Sequence, residues 1–209
     1  MIRINEVFKK PSVICICGGV HTGKSMLAGH IINTLQLTKQ FNLYIYGFRV
    51  NVEGAQKVYS ISELEQIKNS LIVIDEFANL VNIDDKKNKG KIERIIRLIN
   101  HNNNILVLIC IGENMKKFLA GKVDQWFFKK VLIDDLINGS RAKKIVTNYS
   151  GVERGSEVLD LAVDKALFFD GLHYDFLSVP YLEKFDVKKD NVPLLVDKKN
   201  PLKNPLNHP

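Results

Sequence analysis

No stretch of this chain is apolar for long enough to cross a bilayer. Its longest such runs, Ile105–Ile111 (ILVLICI) among them, fall far short of the roughly 20 residues that a spanning helix needs. The opening MIRINEVFKKPSV has no apolar h-region, so no signal peptide is expected. The expectation is a soluble protein, or one attached to a membrane only through a partner. Cysteine is nearly absent: Cys15, Cys17 and Cys110 are the three. An odd number of thiols, all in apolar runs, argues against a disulfide framework and fits a reducing cytoplasm. A C-x-C metal site would need a second pair nearby, and none follows, so core positions are the plainer reading. Arginine is sparse beside lysine, and there is no internal repeat.

What is present suits one globular domain with an appendage. The chain has 209 residues, of which 45% are apolar, enough for a real core. A formal charge of +7 permits a polyanionic partner without requiring one. The boundary is set near residue 183. Residues 1–183 form the expected domain. The tail 184–209 is rich in Lys and holds four of the six prolines, which excludes a helix or a central strand there.

Between these limits, short apolar runs alternate with amphipathic stretches. SVICIC (12–17), LYIYGF (43–48), LIVID (71–75) and ILVLICI (105–111) read as strands, most of them buried on both faces. Helices are expected over 25–38, 61–68 (capped by Ser60 or Ser62), the stretch marked by Ile92, Ile95, Ile96 and Ile99, 115–123, and 156–167. The polar stretch IDDKKNKGK (83–91) reads as a loop. WFFKKVLI (126–133) and AKKIVT (142–147) read as late strands around a turn at Asn138-Gly139. Alternating strands and helices imply an α/β fold: a mostly parallel sheet with helices on both faces.

The chemistry starts with Gly18-Gly19-Val20-His21-Thr22-Gly23-Lys24-Ser25, which matches G-x-x-x-x-G-K-[ST] without departure. Glycine lets the backbone turn so that successive N–H groups point at phosphate oxygens. The following helix, entered through Ser25 and Met26, offers its positive end to an anion. In such a loop Lys24 reaches the β- and γ-phosphates of ATP and the Ser25 hydroxyl ligates Mg2+. The second element is Leu71–Glu76, a strand ending in two carboxylates. Asp75 is expected to hold the Mg2+ through water, and Glu76 to polarise an attacking water as general base. That adjacent acid favours hydrolysis over transfer to a small acceptor, and with it an additional-strand, catalytic-glutamate ATPase. In that class a polar residue closing the fourth strand senses the γ-phosphate; Asn114 is the candidate, Glu113 the poorer one. Arg94, Arg97 and Arg141 are candidates for an arginine finger acting on a neighbouring subunit, although surface solubility is the plainer role for each.

With these residues in place, GGVHTGKS, LIVIDE and the polar-tipped fourth strand, the chain resembles the FtsK–HerA superfamily of DNA-pumping ATPases. In size it is similar to the genome-packaging ATPases of tailless, internal-membrane viruses with double-jelly-roll capsids. Later stretches, NGSR (138–141), GSE (155–157) and ALFFDG (166–171), are similar in order to that superfamily, so the likeness spans roughly residues 12–182. The resemblance implies a RecA-like core with sheet order near 5-1-4-3-2 and a homo-oligomeric ring around double-stranded DNA, gripped non-specifically by its backbone. It also implies a partner at a capsid vertex or membrane, and a location in the cytoplasm (of the host, for a virus) or with the virion. The family's fourth-strand Gln is absent, Glu113-Asn114 standing in its region. Lys86, Lys87, Lys89 and Lys91 are placed to touch DNA phosphates, or simply to be solvated. Two other readings stay open: another mobile-element or cellular ATPase of the same core (helicase loader, transposition helper, conjugation or filamentous-phage assembly ATPase) and, less well supported, a small-molecule kinase. The kinase would need an Arg-rich lid that the mid-chain loop lacks.

Overall fold

The computed structural model describes residues 8, 11–37, 41–48, 52–75, 77, 86–111, 121–130 and 158–179, without the side chains of 36–37 and 86–89. In chain order the elements are β1 (Ser12–Gly18), α1 (Lys24–Leu37), β2 (Asn42–Tyr46), β3 (Ala55–Val58), a single 3-10 turn (Glu63–Gln66), β4 (Ser70–Ile74), α2 (Lys86–His101), β5 (Ile105–Ile111), β6 (Gln125–Phe128), β7 (Lys165–Phe169) and β8 (Tyr174–Ser178). The strands make one sheet of order β3-β2-β4-β5-β1-β6-β7-β8. The first six strands of this order are mutually parallel, and β7 pairs antiparallel with both β6 and β8.

Strand alternation divides the core into two layers. On β1, Val13, Cys15 and Cys17 face one side, while Ile14 and Ile16 face the other. Ile92, Ile95 and Ile99 of α2 cover the first layer. Leu27, Ala28, Ile31, Ile32 and Leu35 of α1 cover the second. Such two-sided burial is why the central strands read as unbroken apolar runs. Trp126, Phe127 and Phe128 of β6 are core residues, and the Trp126 and Phe128 rings stack at 5.9 Å. The thiols are core residues as well, with Cys15 Sγ and Cys17 Sγ 3.3 Å apart. Burial pushes the Cys15 thiol up, which makes it inert.

The expected order 5-1-4-3-2 is present as β6-β1-β5-β4-β2 at the centre of the sheet. Around it the structure differs from the sequence reading in five places. β3 and β8 add edge strands that the sequence reading lacked. The helix expected over 156–167 ends early: residues 158–159 are helical, but Lys165–Phe169 is a strand, because Phe127 and Phe168 pack across the β6–β7 pair. The loop expected over 83–91 is helical from Lys86 onward, so Lys86, Lys87, Lys89 and Lys91 lie on the first turns of α2. Nothing crowds Gly90, so no close approach requires a glycine there. The expected helix over 61–68 is one 3-10 turn; Ser60, not Ser62, meets Glu63 through its hydroxyl, at 2.7 Å. The strand expected over 126–133 pairs through Phe128. The strand at 142–147, most of the helix at 115–123 and the tail 184–209 lie outside the described residues.

Asparagines fasten the edge of the sheet remote from the glycine-rich loop. Asn69 and Asn103 take left-handed φ angles of 51° and 52°, which this residue type tolerates. Asn104, buried, accepts from Ser70 N–H through Oδ1 at 2.9 Å and donates through Nδ2 to Ile67 C=O at 2.7 Å. One side chain thereby aligns the starts of β4 and β5. Asn104→Ala leaves both backbone groups buried without that partner. It is expected to cost about 2–3 kcal/mol, read as a lowered urea midpoint with unchanged m-value.

Candidate functional site

In an open parallel sheet the carboxyl ends of the strands are where ligands bind. Here β1 ends at Gly18 and α1 begins at Lys24, so a five-residue loop joins them at that edge. Two residues give the loop its turn: His21 at φ 59° and Gly23 at φ 86°. Thr22 Oγ1 donates to the Gly19 carbonyl at 2.9 Å and Lys24 Nζ donates to the same carbonyl at 2.6 Å, which draws the loop together. Val20 and His21 form its exposed rim, while Thr22 is buried beneath. Ser25 is half-buried on the first turn of α1 and Met26 is buried behind it. The loop therefore ends on the positive pole of a helix, with a cation drawn against it, an arrangement that suits an anion.

Gly18 is required by close approach. A Cβ there would come within 2.7 Å of Lys129 Cβ and 2.8 Å of Thr22 Oγ1. Backbone bonds hold that contact: Lys129 N–H donates to Cys17 C=O at 2.8 Å, and Gly19 N–H donates to Lys130 C=O at 3.0 Å.

Asp75 follows β4 directly, half-buried, with its N–H donating to Tyr46 C=O at 2.9 Å. One strand, β5, separates β4 from β1, and the register sets Ile74 level with Cys15, which places Asp75 about 12 Å from Gly18 at ordinary strand spacing and rise. The Cys110 thiol on β5 senses both sides. Burial pushes it up; of the lesser charge effects, Lys24 pulls it down and Asp75 pushes it further up. The sheet thus brings Gly18, Gly19, Val20, His21, Thr22, Gly23, Lys24, Ser25, Met26 and Asp75 to one edge. Glu76, Glu113, Asn114 and Arg141 lie outside the described residues. Arg94 and Arg97 are not brought there. Arg94 pairs with Glu65 of the 3-10 turn at 3.0 Å, and Arg97 stands off Glu93 at 4.0 Å; both are highly exposed, toward the opposite edge.

Sequence reasoning missed Lys129. Its side chain is fully buried directly behind the loop, and its Nζ donates to the carbonyls of Val163 (2.6 Å) and Lys165. The lysine pair after WFF gives no sign that one of its members is interior. Burial lowers the Lys129 ammonium to about 8, with nearby Asp164 opposing the shift. Among the described residues no cluster of three or more His, Cys, Asp or Glu side chains could hold a metal by itself, and no helix is long and apolar enough to cross a membrane.

No family model matches the chain, and no curated protein matches it by sequence. Solved structures do match it. The genome packaging NTPase B204 from Sulfolobus turreted icosahedral virus 2, in complex with sulfate, superposes with a TM-score of 0.63 at 14% identity, covering 84% of this chain and 100% of its own. B204 of Sulfolobus turreted icosahedral virus, described as a DNA-packaging ATPase, gives 0.60 at 14% identity, covering 83% of this chain and 100% of its own. The pCW3 conjugation coupling protein TcpA, as a monomer with ATPγS, gives 0.56 at 16% identity, over 86% of this chain and 62% of its own. The chain shares the α/β fold of these proteins.

The buried lysine makes a prediction of its own. With its folded value near 8 and its ordinary value of 10.5, Lys129 burdens the fold while charged. The unfolded chain then binds more protons than the folded one between those two values, so this group's contribution to stability rises with pH there, by up to about 1.4 kcal/mol per pH unit. Lys129→Met should remove that rise, measured as the wild-type-minus-variant difference in unfolding free energy from pH 7 to 10.

Proposed function

We propose that the protein is an ATP-hydrolysing motor that moves double-stranded DNA, with viral genome packaging as its task. The observation carrying this reading is the join of a complete G-x-x-x-x-G-K-[ST] loop to a helix N-terminus, with Lys24 held on the loop and Asp75 at the tip of the strand two places along the sheet. The shared fold supports it: B204 is titled a genome packaging NTPase, and its structures include complexes with ATPγS and AMPPCP.

In this mechanism the N–H groups of residues 20–25 surround the phosphates, that of Gly19 being held by the Lys130 carbonyl. Lys24 leaves the Gly19 carbonyl for the β- and γ-phosphate oxygens, a short move within the loop. The hydroxyl of Ser25 and the carboxylate of Asp75 are hard oxygen donors, the kind Mg2+ prefers, and they would hold it, Asp75 through water. The chemistry such an ion would supply there is positive charge against the phosphates. Glu76 follows Asp75 in sequence and takes the proton of the attacking water as general base. Asn114 is assigned to sensing the γ-phosphate. Arg97 and Arg141 are retained as arginine fingers toward a neighbouring subunit of a ring. Exposure of Arg97 and its loose contact with Glu93 leave it able to serve that role.

The lysines opening α2 support a polyanionic partner. They follow the β4 tip in the chain, and α2 runs back to the opposite edge, where β5 begins. Their positive charge adds to the helix's own positive end, and such a surface reads phosphate rather than base. A second reading has its own support in the TcpA likeness: DNA transfer in conjugation rather than packaging, by the same chemistry. A capsid-vertex or membrane partner and a cytoplasmic or virion-associated location belong to the packaging reading.

Steady-state ATP hydrolysis with and without double-stranded DNA tests the proposal. Turnover should rise with DNA and fall at least 100-fold in Glu76→Gln, which should still bind ATP. An assembled protein whose binding and turnover ignore DNA would contradict it.

A further inference from the structure

Two lysines meet the glycine-rich loop. Lys24 closes it and rests on the Gly19 carbonyl. Lys129 meets it from within the protein. Its N–H donates to Cys17 C=O at the end of β1, and the carbonyl of the next residue, Lys130, takes the Gly19 N–H. Its side chain then runs beneath the loop. A Cβ on Gly18 would come within 2.7 Å of Lys129 Cβ, and one on Gly23 within 3.5 Å of Lys129 Cε. The stem thus follows the loop from its first glycine to its last, with no part of the residue exposed.

The amine at its end donates to the carbonyls of Val163 and Lys165. Those bonds hold it in place without cancelling its charge, and a neutral donor would make them at less cost. The charged or titratable groups on the elements around it are Cys17 on β1, His21 and Lys24 at the loop, Lys130 beside it, and Asp164 and Lys165 on the turn before β7. Of these, Asp164 supports the charge, from an exposed position on the turn. The ammonium therefore adds positive charge directly behind a loop that already ends on the positive pole of α1. Solvent screens an interior charge less than a surface one, so an anion on the loop feels it.

We propose that Lys129 is an interior cation of the phosphate site: its ammonium, held beneath the loop without touching the ligand, strengthens phosphate binding while it carries its proton, and so makes that binding depend on pH. The inference rests on the nucleotide-binding reading above and adds a residue that regulates the same site. Burial lowers the amine to about 8, Asp164 opposing. An anion on the loop favours the charged form and raises that value. Affinity is therefore full below the value of the free protein. It declines as pH rises through the interval between the free and bound values, and levels out where both forms are neutral. Within the interval, binding takes up a proton.

The test is Mg-ATP binding by calorimetry from pH 7 to 9.5, a range over which the ligand keeps its charge, in the wild type, Lys129→Met and Asp164→Asn. At pH 7 the wild type should bind about fivefold more tightly than Lys129→Met. At pH 9.5 the two should converge, because the wild-type amine is then neutral. Near pH 8.5, buffers of different ionisation heat should show more proton uptake on binding by the wild type than by Lys129→Met. Asp164→Asn, a change on the exposed turn, should move the decline in affinity to lower pH, and it decides the matter where Lys129→Met does not fold. A loss in Lys129→Met that is equal at both ends of the range marks a purely structural lysine and overturns the proposal. So does no loss at either end, or a decline that Asp164→Asn leaves in place. A wild type that binds no Mg-ATP at pH 7 overturns the nucleotide reading itself, and the inference with it.

Discussion

The site depends on how closely β1 ends against β6. Gly18 sits where any Cβ would strike Lys129 and Thr22, and two backbone hydrogen bonds hold the strand ends at that spacing. The glycine loop therefore leaves the sheet from a fixed point and in a fixed direction. The buried Lys129 extends the same constraint outward, from β6 to the turn before β7. Burying an amine costs stability, as its lowered ionisation reflects. Its hydrogen bonds to two carbonyls offset part of that cost and lock three elements into one body.

From that anchor the sheet sets everything else by register. Residue-by-residue pairing of β1 with β5, and of β5 with β4, sets Ile74 level with Cys15, so Asp75 emerges two residues short of Gly18 on the same edge. Two-sided burial of these strands makes the register hard to shift, because a slip of one residue would turn each apolar side chain to the wrong layer. A rigid edge with a cation on one strand end and a carboxylate two strands away is preorganised for a charged ligand. The lysine-rich opening of α2 is the candidate for what a polyanionic partner would meet.

The parts legible in the sequence were those where local pattern and tertiary burial demand the same thing. SVICIC, LIVID and ILVLICI are strands because only a central strand buries such runs, and G-x-x-x-x-G-K-[ST] fixes its own turn. The missed parts are those settled by neighbours. β3 (AQKV) is a partly exposed edge with no apolar run, and it becomes a strand through pairing with β2. The helix expected over 156–167 ran into KALFF, which becomes a strand because β6 offers it an edge lined with aromatics. The start of α2 was signalled by Asp84-Asp85 ahead of a run of helix-forming lysines, but the density of charge read as a loop. Lys129 carries no local mark, because its significance lies in contacts with residues 34 or more positions away.

Direct binding of Mg-ATP at equilibrium tests the central claim most simply, by comparing the wild type with Lys24→Ala, whose amine now rests on the Gly19 carbonyl. Saturable binding by the wild type, lost in the variant, is the result expected of a loop built to hold phosphates. Equal binding by both, or binding by neither, would contradict it.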